Sequence, residues 1–301
     1  MPIPVILDTD IGTDVDDTWA LVMLLRSPEL DLKLVTTASA DTVYRARLAA
    51  KLLDIAGRSD VPVGVGIRGG SSHEFQAPWV GDYRLADYPG AVHEDGVDAL
   101  VDVVRRSADP VTIVAIGAAL NVKRALEIAP DIASKCRLVG MYGSIDRGYG
   151  RGSSPCPEAN VRNDVPACRA VFAAPWRDIV ITPLDTCDDA ILSGDRYRRI
   201  RDSRDPLICA LVENTLVWAR LVTWVDASSY IRERSSTLFD TVAVYLAYTE
   251  ARLDVETLRL AVTDDGRTVR APGGSPVRVA LRWTDLGGYL DHLVARLLGE
   301  A

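Results

Sequence analysis

The feature that most restricts how this chain can fold is a repeated alternation. Short, continuous apolar runs rich in β-branched residues take turns with stretches of helical spacing. Residues 3–7, 32–37, 61–65, 111–116, 136–141 and 179–182 read as strands, and residues 17–26, 42–56, 93–106, 121–128 and 165–173 as helices. Strands that are apolar at nearly every position are buried on both faces, as in parallel sheets covered by helices. The expected fold is therefore α/β, a Rossmann-like, mostly parallel central sheet flanked by helices. Sheets of this kind bind ligands at the carboxyl ends of their strands. The alternation changes after Asp205. Extra helices (206–224, 237–248 and 285–298) and a short strand pair (258–262 with 277–283) are expected in the C-terminal third, the pair flanking the turn signal Asp264-Asp265-Gly266. No repeat or long linker interrupts the pattern, so residues 1–301 are expected to form a single domain. Two segments, 66–90 and 143–163, are irregular and long enough to suggest lids or binding loops.

The first strand opens directly onto Asp8-Thr-Asp10-Ile-Gly-Thr-Asp14-Val-Asp16-Asp17, five aspartates within ten residues. Carboxylates this close repel one another unless a cation or hydrogen bonds offset them. Oxygen donors suit a hard divalent ion, Ca²⁺ or Mg²⁺. Gly12 permits a tight turn, and Asp16 and Asp17 begin the following helix, whose dipole favours anions. A plain N-cap would need only one of these residues, and the spacing is not that of an EF-hand.

The formal net charge of −8 argues against nucleic-acid or anionic-membrane partners, which require a positive field. No apolar run has the length of a membrane span, and the N-terminus lacks the features of a signal peptide. Five cysteines without CxxC spacing are expected to be reduced thiols, and a cytoplasmic location is expected.

With these residues in view, the chain resembles the nucleoside hydrolase family, of the inosine-uridine preferring, calcium-dependent type. DTDIGTDVDD followed by TWALVMLL is similar to the family's N-terminal signature, with two extra residues before the aspartate pair. LVTTASAD (34–41), AAKLLDIAGRSDVPV (49–63), IGAALN (116–121), PEAN (157–160) and LFDTVAVY (238–245) match later family segments in order. The resemblance implies an enzyme that hydrolyses the N-glycosidic bond of a ribonucleoside to ribose and free base. It implies that Asp10 touches the ion and serves as general base, and that Asp17, Asp240 and the carbonyl of Leu120 complete the metal ligands. Ca²⁺ is preferred to Mg²⁺. Asp16, Asp41, Glu158, Asn160 and Phe239 are expected to face the substrate, with Asp8 supporting the ligands from behind. Trp79, Trp224, Tyr230 and His93 are candidates for the base pocket. The substrate is a small nucleoside, and a homodimer or homotetramer is implied.

The chain departs from the family in three places. Phe239 stands where the family often has a histidine able to protonate the leaving base, and Ala40-Asp41 stands for the family's Gly-Asn. Gly152 falls where the family has a ribose-binding asparagine. Two other readings follow. Without that histidine, the protein could be a non-catalytic, metal-dependent binder of nucleosides or ribose. VILDTDIGT also resembles the first motif of haloacid-dehalogenase-type phosphatases, in which Asp8 would be the nucleophile.

Overall fold

In the computed structural model, which describes residues 1–300, the first apolar run forms β1 (Ile3–Thr9), buried from Val5 onward. The remaining elements follow as α1 (Asp16–Leu25), β2 (Leu30–Thr37), α2 (Thr42–Ile55), β3 (Val63–Val65), α3 (Ala77–Val80) and β4 (Val92–His93). Next come α4 (Gly96–Arg106), β5 (Val111–Ala115), α5 (Leu120–Ile128), β6 (Cys136–Met141), α6 (Ala159–Asn163), α7 (Val165–Ala173) and β7 (Asp178–Thr182). The last third contains α8 (Leu184–Cys187), α9 (Gly194–Arg201), α10 (Pro206–Leu221), α11 (Phe239–Tyr248), β8 (Leu253–Val262), β9 (Thr268–Arg270), β10 (Ser275–Trp283) and α12 (Leu286–Leu298).

One sheet runs through the molecule in the order β4-β3-β2-β1-β5-β6-β7-β10-β8-β9. Its pairs are parallel except around β8, which lies antiparallel to both β10 and β9. The continuous apolar strands feed two cores, one on each face. Trp19, Leu48, Leu211, Val244 and Leu293, from α1, α2, α10, α11 and α12, belong to one. Leu100, Val122 and Val171, from α4, α5 and α7, belong to the other. The chain order reverses between β1 and β5, so the crevice at their carboxyl ends is the topological switch point. The aspartate-rich segment leaves β1 at that crevice.

The β1–α1 loop turns at Gly12, whose φ of 117° lies in the left-handed region. A Cβ there would stand 2.6 Å from Tyr44 Cε1, so only glycine fits. Gln76, fully buried, clamps the same loop from behind. Its Nε2 donates to Asp14 O (2.5 Å), and its Oε1 accepts from Thr18 Oγ1 (2.9 Å).

Several expectations need correction. The strand pair in the C-terminal third is three strands: the Asp264-Asp265-Gly266 turn joins β8 to β9, and β10 returns along the other side of β8. Charged residues between Leu253 and Leu258 hide the start of β8. His93 lies in β4 rather than opening a helix, because Asp95 caps α4 by accepting from Val97 and Asp98 N–H. Helix α9 carries four arginines and buries only Tyr197 and Ile200, too weak a stripe to read. Helix α10 ends at Leu221, before Trp224.

Candidate active site

A cavity of about 750 Å³ opens at the switch point. Seven carboxylates line it: Asp10, Asp14, Asp16, Asp17, Glu158, Asp188 and Asp240. Asn160 is part of the wall, and Tyr149, Trp224, Tyr230 and Phe239 supply aromatic faces.

The floor is built by the ends of three elements. Asp10 leaves the end of β1 beside Gly117, where a Cβ would stand 2.8 Å from the Asp10 nitrogen. Asp16 and Asp17 open α1, and Asp240 lies in the first turn of α11. Each of Asp16, Asp17 and Asp240 offers an oxygen within 4.8 Å of the other two, and all three are buried. Burial pushes their carboxyls well above the ordinary aspartate range, and mutual repulsion pushes the same way. Burial also raises Asp10, opposed by the charge of Arg45. Arg45 is itself held by the carbonyls of Ser39 and Ile11 (each 2.9 Å), and it contacts these carboxylates only through its field. Three buried carboxylates facing one another, with no ion pair among the described residues, fit a hard divalent cation.

Asp8 lies behind this floor, fully buried. Its Oδ1 accepts from Thr36 Oγ1 and Asn121 Nδ2 (each 2.7 Å), and burial raises its carboxyl to about 6. Thr9 donates its hydroxyl to Asp17 Oδ1, fixing that carboxylate. A nucleophile must reach its substrate. A carboxylate without exposed surface and tied on one oxygen by two donors cannot, so the phosphatase reading is set aside.

Glu158 caps α6. Its oxygens accept from the N–H groups of Asn160 (2.6 Å), Gly143 (3.0 Å) and Val161 (3.2 Å), and burial raises its carboxyl to about 7. Asn160 ties β5 to β6, its Nδ2 donating to Ile116 O (3.0 Å) and Met141 O (3.1 Å). At the mouth, Trp224 is half exposed and meets Phe75 edge-on at 5.3 Å. Phe239 meets Tyr149 edge-on at 5.9 Å.

Three of the expected residues are placed elsewhere. Asp41 is a helix cap, accepting from Val43 and Tyr44 N–H (each 3.0 Å) and from Arg68 (2.8 Å), and it is absent from the cavity wall. Trp79 is buried under Lys51, whose ammonium lies 4.4 Å from its ring centre. His93 lines a different hollow at the β4–α4 edge, with Lys33 and Asp98. Leu120, whose expected role is that of its backbone carbonyl, begins α5 three residues after Gly117, and its side chain is not part of the wall.

Other contributors escaped sequence reasoning. Asn121 is fully buried and braces Asp8, Thr37 O (3.1 Å) and Ile67 N–H (2.8 Å); a polar residue at the apolar β5–α5 junction was its signal. Asp14, in the two-residue insertion, lines the cavity, as do Asp188 and Arg234. Their spacing in the chain carries no comparable pattern. All five cysteines are free thiols.

Comparison with known proteins bears on this site. The family model described as inosine-uridine preferring nucleoside hydrolase matches residues 5–287. The pyrimidine-specific ribonucleoside hydrolase RihA of Enterobacter sp. (strain 638) is 32% identical over 246 residues, covering 74% of each chain. RihA of Escherichia coli O7:K1 is 26% identical over 99% of both. Among solved structures, the plant nucleoside hydrolase PpNRh1 superposes with a TM-score of 0.83 at 24% identity, and a Bacillus anthracis inosine-uridine preferring enzyme with 0.75 at 19%, each over 99% of this chain and 99–100% of the other. These two likenesses show the shared fold. This chain belongs to the inosine-uridine preferring nucleoside hydrolases, metal-dependent enzymes that hydrolyse ribonucleosides to ribose and free base.

Proposed function

We propose that the chain hydrolyses a pyrimidine ribonucleoside, with Asp10 as general base and Asp10, Asp17, Asp240 and the Leu120 carbonyl as ligands of a calcium ion. The observation that carries the reading is Asp10 beside the buried, inward-facing oxygens of Asp16, Asp17 and Asp240 in one cavity. When bound, the ion supplies Lewis acidity, making water more acidic and gripping a vicinal diol. Asp10 accepts the proton of the attacking water. Asp16, Glu158 and the free Oδ1 of Asn160 hold the ribose hydroxyls, and the acidic floor offsets positive charge developing on the sugar ring. Direct attack by water, without a covalent sugar intermediate, parallels inverting glycosidases. The aromatic rim of Tyr149, Trp224, Tyr230 and Phe239 encloses the base and limits the entry of other water. The RihA relatives, named as pyrimidine-specific, support the choice of base.

The chain acts as one catalytic unit over residues 1–301, in a homodimer or homotetramer, and in the cytoplasm, which the free thiols support. No helix among the described residues is long and apolar enough to cross a membrane. The test is release of reducing sugar from a panel of purine and pyrimidine ribosides, with and without chelator. Chelator-sensitive release, greatest from uridine or cytidine, is expected. Calcium binding without release from any riboside would favour the non-catalytic binder instead.

A further inference from the structure

Replacement of an acidic histidine by Phe239 leaves the departing base without an obvious proton source. Burial pushes the phenols of Tyr149 and Tyr230 up, away from useful acidity. Asp188 is turned to the loop, accepting from Arg151 N–H at 2.6 Å. One group in the wall differs from all of these. Arg234 is half-buried and shares the cavity with seven carboxylates, yet it makes no ion pair among the described residues. Its guanidinium carbon instead sits over the Tyr230 ring, 3.8 Å from the centroid, a cation–π contact that holds the fork without consuming its donors.

Its backbone is pinned as well. Arg234 bridges to Ser193, Ser235 N–H donates to Leu192 O (2.8 Å), and Tyr197 holds Ile231 O (2.5 Å). The other arginine of the wall, Arg162, is exposed on α6. A rigid, uncompensated cation next to a base pocket is equipped to receive negative charge.

The geometry points to Arg234 as a catalytic residue that stabilises the departing base as an anion, selecting pyrimidines with a carbonyl beside the glycosidic nitrogen. This rests on the hydrolase reading above. The C1′–N1 bond breaks with its electron pair going to the base, and the water oxygen bonds to C1′ as its proton passes to Asp10. The charge on the base spreads to its O2, where Arg234 donates a hydrogen bond without giving up a proton, which a guanidinium does not do in proteins. The free base then takes its proton from solvent. A purine gains less, because its departure is eased by protonation at N7, which Arg234 cannot supply.

The experiment compares wild type, Arg234→Gln and Arg234→Lys on uridine, on inosine and on 4-nitrophenyl β-D-riboside, whose leaving group needs no help. In Arg234→Gln, kcat on uridine should fall about 10²-fold, as for loss of one oxyanion donor. Release of nitrophenol should stay within a few-fold, which also certifies the fold. Arg234→Lys should recover part of the uridine rate, and wild type should prefer uridine to inosine. Equal losses on uridine and the nitrophenyl riboside, or no loss on either, would overturn the assignment while leaving the hydrolase reading intact. A wild type that hydrolyses none of the three would remove both.

Discussion

Two buried aspartate clusters lie at the same end of the sheet and are treated in opposite ways. Asp16, Asp17 and Asp240 face one another and form no ion pair among the described residues. Asp185 and Asp188, in α8 and just after it, and the half-buried Asp189 beside them each have donors or an ion pair. Asp185 accepts from Ile145 and Asp146 N–H (2.9 and 2.7 Å), Asp188 from Arg151 N–H, and Asp189 pairs with Arg147 (3.0 Å) and Arg151 (2.9 Å). The second cluster fastens the long loop that carries Tyr149 over the cavity. Residue type and burial are alike, so compensation separates a structural carboxylate from one available to a ligand.

The largest effect should come from the uncompensated side. Asp10→Asn is expected to lower kcat by ~10³-fold or more, as for loss of a general base, while the chelated protein melts no lower than wild type, because Asp10 too repels the floor carboxylates. Steady-state ribose release and a thermal melt check both. Asp240→Asn should abolish measurable metal binding yet raise the stability of the chelated protein, since it removes a repulsive charge. A fall in chelated stability would erase the contrast between the clusters.

The next effect is a pH dependence. Burial raises Asp8 and Asp14 to about 6 and Glu158 to about 7, whereas carboxyls in an unfolded chain titrate at about 4. The folded, metal-free protein therefore binds protons more tightly than the unfolded chain. The stabilisation this gives is complete below pH ~4 and is lost as pH rises through about 6 to 7. The chelated protein should melt at lower temperature at pH 8 than at pH 5. Calcium, by replacing the protons, should raise the melting temperature more at pH 8. Differential scanning fluorimetry with and without chelator reads both.

On the compensated side, Asp185→Ala leaves the buried Ile145 N–H and the partly buried Asp146 N–H without acceptors and should cost about 1–3 kcal/mol. Urea unfolding measures that loss, and uridine hydrolysis should weaken only as the loop under Tyr149 loosens. The smallest effect is expected at Asp41. Asp41→Ala should cost about 1 kcal/mol through its lost helix cap and leave kcat unchanged. A large activity loss there would return Asp41 to the substrate site.

The sheet was readable because parallel strands buried on both faces are apolar throughout. The elements that escaped, α9 and the start of β8, bury few side chains and show mostly charge. The floor of the cavity was readable for a related reason. Asp10, Asp16 and Asp17 are adjacent in sequence, and Asp240 stands in a family segment. The wall was readable in part: Glu158, Asn160 and Phe239 stand in family segments, and Trp224 and Tyr230 were candidates for the base pocket. Asp188 and Arg234 come from separate elements that only the topology brings together, and nothing in their spacing marks them. Asp41 and Trp79 misled because a helix cap and a core tryptophan look, in sequence, like ligand-facing residues. Ala40, with φ of 47° where the family has glycine, keeps the turn before Asp41 despite its Cβ.

The central claim is that the unanswered carboxylates await a cation on which hydrolysis depends. Calcium titrated calorimetrically into chelator-treated protein, with ribose release from uridine measured at each addition, tests it most directly. One ion per chain is expected, with the rate of release rising in proportion to occupancy. Full ribose release from the metal-free protein would contradict it.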